Sequence, residues 1–173
     1  YMFWGSFRGI YATELTDNGL EIKKKTDGTP VLKKRICGNR FEGTNIYKRG
    51  EYYYLFASIG TCCNGATSTY QTVVGRSKNV LGPYLDKTGR DMLYDYCEII
   101  MSGNETWAGP GHNSILIQDD VGTDWIIYHG YKKKEAENGR YVLMDKLIWS
   151  NDGWPSVKSN APSILEVAPY FQK

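Results

Sequence analysis

No stretch of this sequence keeps an apolar helical period over three turns. Short runs rich in β-branched and aromatic residues follow one another instead, separated by Gly, Asn and Asp. The strongest runs are Gly43 to Lys48, Tyr52 to Ser58, Tyr70 to Ser77, Ser114 to Gln118, Trp125 to Tyr131 and Tyr141 to Trp149. Between the first two, Lys48-Arg49-Gly50-Glu51 predicts a tight hairpin. The runs recur in a weak repeat. One unit starts at Phe41-Glu42-Gly43-Thr44-Asn45, passes through Tyr52 to Phe56 and Thr72 to Ser77, and closes near Gly82-Pro83-Tyr84. A second starts at Gly111-His112-Asn113-Ser114, passes through Trp125 to Tyr128 and Val142 to Leu147, and closes near Gly153-Trp154-Pro155. Each offers four strands, and tandem four-stranded antiparallel units predict an all-β fold of propeller blades, with a β-sandwich as the alternative.

The opening segment fits the same scheme. Tyr1 to Trp4, Gly9 to Ala12 and Leu20 to Ile22 read as strands two to four of a further unit whose innermost strand is absent. Residues 1–173 are therefore expected to form one partial β-propeller domain, with units near 1–40 (incomplete), 41–108 and 109–173. At roughly 45–70 residues per blade, that is about three blades. The chain begins in mid-strand, so an upstream segment is expected to be missing.

Composition narrows the function. Fourteen Tyr, five Trp and five Phe suit pleated, half-buried surfaces, and aromatic faces also stack on sugar rings. Most of them should fill the core. The 21 Lys and Arg against 19 Asp and Glu leave a net charge of +2, too weak a field for nucleic acid or an anionic membrane. No apolar run approaches the length of a membrane span. The basic runs Lys23 to Lys25 and Lys132 to Lys134 read as solvated loops.

Blade geometry places candidate residues. Glu42 and His112 occupy equivalent positions, each where the innermost strand of a unit begins, so both should face one opening. Strands alternate in direction, which returns the loops Gly5 to Arg8, Ser58 to Thr69 and His129 to Gly139 to that same opening. Phe7, Asn45, Thr61, Cys62, Cys63 and Asn64 are candidate sugar contacts. His129 fits a rim or a structural role. Arg76, near the far end of its strand, reads as structural, and Trp4, Trp125 and Trp149 as packing between blades. A disulfide between the adjacent Cys62 and Cys63 would be strained, Cys37 and Cys97 are isolated, and no CxxC or zinc spacing occurs.

Six segments in order, YMFWGSFRGIY, FEGTN, SIGTCCNGATSTYQTVVGRS, GPGHNS, WIIYHGY and DKLIWSNDGWP, resemble glycoside hydrolase family 43, and within it the endo-1,5-α-L-arabinanases. The resemblance spans almost the whole chain. It implies a five-bladed β-propeller with its active site at one end of the central axis, and hydrolysis of α-1,5-L-arabinofuranosidic bonds with inversion. In that chemistry one carboxylic acid protonates the leaving oxygen while a carboxylate opposite activates water. Glu42 matches the general acid and should be partly desolvated or close to another carboxylate. His112 matches a histidine that helps hold a metal ion, usually calcium, largely through water. The Cys62-Cys63 pair matches a feature of the sugar-binding rim.

The base and a pKa-tuning Asp of the family would both precede Tyr1. Loss of a general base costs about 10²–10⁴ in rate, so this chain alone is expected to show little or no arabinanase activity. Unpaired blade edges would favour self-association. The resemblance also implies arabinan or arabino-oligosaccharides as partners and a secreted or periplasmic location. The alternatives are a non-catalytic carbohydrate-binding propeller fragment, or an exo-acting arabinofuranosidase or β-xylosidase.

Overall fold

The computed structural model describes residues 1–172, which form antiparallel sheets joined by turns and short 3₁₀ segments. The first sheet has three strands in sequence order, β1 (Met2–Trp4), β2 (Ile10–Thr13) and β3 (Lys34–Cys37). The second is a four-stranded meander of β4 (Glu42–Arg49), β5 (Tyr52–Ile59), β6 (Gln71–Ser77) and β7 (Glu98–Met101). In the third, β8 (Trp107–Gly111) and β9 (Ile117–Gln118) pair in succession with β10 (Asp124–Lys132), which pairs on its other side with β11 (Arg140–Lys146). A small hairpin, β12 (Ile148–Trp149) with β13 (Pro155–Ser156), follows.

The period of two along a strand explains how the sheets stack. On β5, Leu55, Ala57 and Ile59 enter an apolar cluster shared with Ile10, Ile36 and Phe41 from the first sheet and its exit loop. Their alternates, Tyr54 and Phe56, enter a second cluster with Ile126 and Tyr128 of the third sheet. Val73 and Val74 of β6 divide in the same way. The second sheet is thus covered on both faces, which is why Leu55-Phe56-Ala57 and Val73-Val74 read as continuous apolar runs. Trp149 adds an aromatic tie, with its ring 6.3 Å from Tyr47 and 4.9 Å from Tyr54 across the sheet boundary.

The connection between β4 and β5 is the expected tight hairpin, with Gly50 at φ 56°. The outer strands differ from expectation. The first sheet closes on Lys34–Cys37 rather than on Leu20 to Ile22, and the second on Glu98–Met101 rather than near Gly82 to Tyr84. In each case a long excursion, residues 14–33 or 78–97, intervenes, pinned by isolated bridges such as Leu15 to Ile22 and Leu85 to Asp91. Their turns close locally: Asp27 Oδ1 accepts from the Thr29 amide and hydroxyl, and Asp86 Oδ1 accepts the equivalent pair from Thr88. Such turn signals look like unit boundaries. The third sheet starts at Trp107, ahead of the boundary expected at residue 109.

Two tryptophans also make contacts within their own sheets. Trp4 stacks on Tyr11 of its own sheet at 5.9 Å, and Trp125 donates to Asp119 within its own hairpin at 3.0 Å.

Phe56 is fully buried between the second and third sheets. Phe56→Ala should destabilise the fold by about 3–5 kcal/mol, measured by urea denaturation, because the facing sheets cannot collapse into the vacated volume. A loss below about 1 kcal/mol would mean that the sheets are not packed face to face.

Candidate active site

The second and third sheets meet at one end of β4 and β8. Glu42, the first residue of β4, lies opposite Ser58 of β5, and the register slips before Asn45 pairs with Phe56. Gly43 occupies that bulge at φ 62°, where a Cβ would stand 3.1 Å from the His112 ring. On the third sheet Gly111 lies opposite His129, and a Cβ at Gly111 would collide with the Tyr70 ring at 2.4 Å. These two glycines let the strand ends close on one another. The His112 amide then donates to Ser58 Oγ at 2.8 Å, tying the sheets together by a polar bond, and His112 itself turns outward at φ 52°.

Both oxygens of Glu42 are held. Tyr70, about 1 % exposed at the start of the return to β6, donates its hydroxyl to Oε1 at 2.5 Å. Ser6 donates to Oε2 at 2.8 Å from the loop between β1 and β2. Burial first, and the neighbouring Glu42 second, push the Tyr70 hydroxyl far above its ordinary pKa, so it remains a donor. The same hydroxyl lies 3.4 Å from His112 Nδ1, so it stands between the carboxylate and the imidazole.

His129 backs this group. Its ring stacks 5.8 Å from Tyr70 and 6.2 Å from His112, and Arg140 approaches its Nε2 at 3.4 Å. Burial, then the positive charge of Arg140 and the proximity of His112, lower its pKa to about 4. The ring is therefore neutral at pH 7. In front of Glu42 is a hollow of about 280 Å³ lined by Phe3, Trp4, Ser6, Thr44, His112 and Asn113 among others. Among the described residues Glu42 is the one carboxylate on its wall. Two buried oxygens, Thr44 Oγ1 and Asn113 Oδ1, have no protein partner.

The structure brings Glu42 and His112 together, with Glu42 half-buried beside two neutral hydroxyl donors and no second carboxylate on the hollow's wall. The other expected contacts stand apart from that wall. Phe7 sits at φ 49° in the Ser6 loop, anchored by its amide to Phe41 O at 2.9 Å, and is 44 % exposed. Asn45 faces an adjoining hollow of about 410 Å³ with Tyr1, Lys48 and Tyr53, because the bulge after Glu42 shifts the pleat. Thr61 pairs with Thr69 at the neck of its loop, and neither Cys62 nor Cys63 lines the Glu42 hollow. The two cysteines are joined as a vicinal disulfide, a pairing that the sequence alone disfavours. Asn64 accepts from Thr67 in the same loop.

Ser6, Ser58, Tyr70 and Arg140 were not anticipated as site residues. Ser6 and Ser58 do lie in loops that the blade geometry places around the opening. Nothing in the local pattern marks Tyr70 as more than the first residue of a strand.

Face-stacked antiparallel sheets, with polar groups gathered at one end of their inner strands, are blades of a partial β-propeller. The sequence profile of glycosyl hydrolases family 43 matches residues 1–155, and the chain belongs to that family. It is 45 % identical over 118 residues to an extracellular exo-α-(1→5)-L-arabinofuranosidase of Cellvibrio japonicus, covering 68 % of this chain and 33 % of the relative. To an extracellular endo-α-(1→5)-L-arabinanase of Bacillus subtilis it is 41 % identical over 158 residues, covering 90 % of this chain and 46 % of the relative. The solved structure of a Cellvibrio cellulosa α-L-arabinanase complexed with arabinohexaose superposes with a TM-score of 0.74 at 34 % identity, over 91 % of this chain and 52 % of that one. The chain thus spans between a third and about half of these relatives.

Because the folded pKa of His129 lies below that of a free imidazole, the unfolded chain takes up a proton first as pH falls. The stability gained from a neutral His129 is full above pH 6.5 and is lost as pH falls toward 4. Discounted for partial solvent contact, His129→Gln should lose about 1–2 kcal/mol less than the wild type between pH 7.5 and 5, in paired urea titrations. Identical pH dependence in the two proteins would contradict a neutral, enclosed His129.

Proposed function

We propose that this chain carries the acid side of an inverting glycosidase acting on α-1,5-linked arabinan. The observation that supports the reading is the setting of Glu42, a carboxyl group fixed through both oxygens by Tyr70 and Ser6 and open to a hollow beside Trp4 and His112. Held there, the group is positioned to deliver a proton to a glycosidic oxygen, and its fixed position removes the cost of orienting it in the transition state. Trp4 and Phe3 offer apolar faces to a sugar ring. Thr44 and Asn113 complete the wall of the hollow. Phe7, Asn45, Thr61, Cys62 and Cys63 would contact units farther along the chain. Water activation needs a second carboxylate across the sugar, which the described residues of the hollow do not supply.

Action at internal bonds is our reading, and the endo-acting Bacillus subtilis relative supports it. Exo action is the second reading, favoured by the Cellvibrio japonicus relative. The sizes of the first products released from linear arabinan distinguish them. The names of both relatives as extracellular support a location outside the cytoplasm. No helix among the described residues is long and apolar enough to cross a membrane.

Calcium favours roughly six to eight oxygen ligands. Among the described residues no three His, Cys, Asp or Glu side chains converge as a metal site. With a single imidazole on the wall of the hollow, an ion there would be held mostly by water, and we propose His112 as its protein anchor. When bound, the ion would add positive charge beside the hollow.

Arabinotriose titrated into the chain should perturb resonances of Trp4, Glu42 and His112, and Glu42→Gln should retain this binding. Turnover of linear arabinan by the 173-residue chain should be slight or undetectable. Absence of arabinotriose binding at the hollow would overturn the sugar assignment. Ready turnover unaffected by Glu42→Gln would overturn the role of the acid.

A further inference from the structure

The far end of the second sheet carries a different kind of site. From Tyr70 beside Glu42 to Arg76 is six residues of extended strand, about 20 Å. There a hollow of about 480 Å³ opens between the end of β6, the excursion that follows it and the β12–β13 turn. This volume lies within the range of small-molecule sites.

Its construction is specific. The Arg76 guanidinium is sandwiched 4.5 Å from the Tyr52 ring and 4.5 Å from the Trp154 ring, and one N–H is fixed on Asp152 O at 2.6 Å. Lys87 reaches over Trp154 at 5.9 Å, and Lys78 over Tyr52 at 5.7 Å. The nearby carboxylates are largely committed. Asp86 is spent on Thr88 and Arg90, Glu51 pairs with Lys78, and Asp152 bonds Ser150. Among the described residues no carboxylate lies within ion-pairing distance of Arg76 or Lys87. The hollow therefore combines two cations that have no direct ion-pair partner with an apolar wall of Tyr52, Pro83 and Leu85, and the one carboxylate on its lining, Asp86, is already held by Thr88 and Arg90.

We propose that this hollow binds an acidic sugar, a uronate residue of an oligosaccharide. A planar guanidinium held rigid between rings presents a preorganised fork to a carboxylate, Lys87 supplies a second charge, and the apolar wall accepts the C–H face of the ring. A bare inorganic anion would use the cations and leave the wall idle. A neutral sugar would leave the cations unpaired. The site is separate from Glu42 and does not depend on hydrolysis.

The test uses digalacturonate, arabinobiose and inorganic phosphate as probes, followed by NMR at the Trp154 indole and Tyr52 ring. Digalacturonate should bind at least about tenfold more tightly than either of the others. Lys78→Ala/Lys87→Ala, which alters two exposed side chains and should keep the wild-type melting temperature, should weaken it by about tenfold or more. Arg76→Lys should also weaken it, since an ammonium lacks the fork. No binding of digalacturonate, binding undiminished in the folded double variant, or phosphate binding as tightly as digalacturonate would each overturn the proposal.

Discussion

Burial of β5 and β6 on both faces is the constraint on which the other features depend. Leu55 and Ala57 face one neighbouring sheet while Tyr54 and Phe56 face the other, so the position of the second sheet is fixed from two sides. A one-residue slip of β5 would exchange the two sets and oppose both clusters at once. With that register fixed, the ends of β4 and β8 arrive side by side, and Glu42 and His112 share an opening although they are far apart in sequence.

At that end the packing changes character. Apolar contact gives way to a polar seam in which Ser58 accepts from the His112 amide and Tyr70 spans from Glu42 toward His112. Gly111 stands where a Cβ would collide with the Tyr70 ring, and Gly43 where one would crowd the His112 ring. The seam places the Glu42 carboxyl group at the boundary between a packed interior and an open hollow. The opposite end of the same sheet places cations against aromatic rings. One pair of strands thus organises two chemically unlike surfaces.

Much of this was legible from strand periodicity. The central strands from Tyr52 and from Trp125, and the shared opening of Glu42 and His112, follow from the repeat. The outer strands did not, because Lys34–Cys37 and Glu98–Met101 are short and lie beyond turns that close on their own Asp and Thr side chains. Asn45 is close to Glu42 in sequence, but the bulge at Gly43 moves it into the neighbouring hollow. Tyr70 was hidden for another reason. Its importance lies in a hydroxyl that meets a residue 28 positions away, and no local pattern encodes such a contact.

Sheet packing holds Glu42 against Tyr70 before any ligand arrives. A double-mutant cycle on unfolding free energy, with Glu42→Ala, Tyr70→Phe and the pair, measures that contact directly. A coupling of about 1–3 kcal/mol is predicted for a buried hydroxyl bonded to a carboxylate. Additive effects, with a coupling near zero, would contradict it.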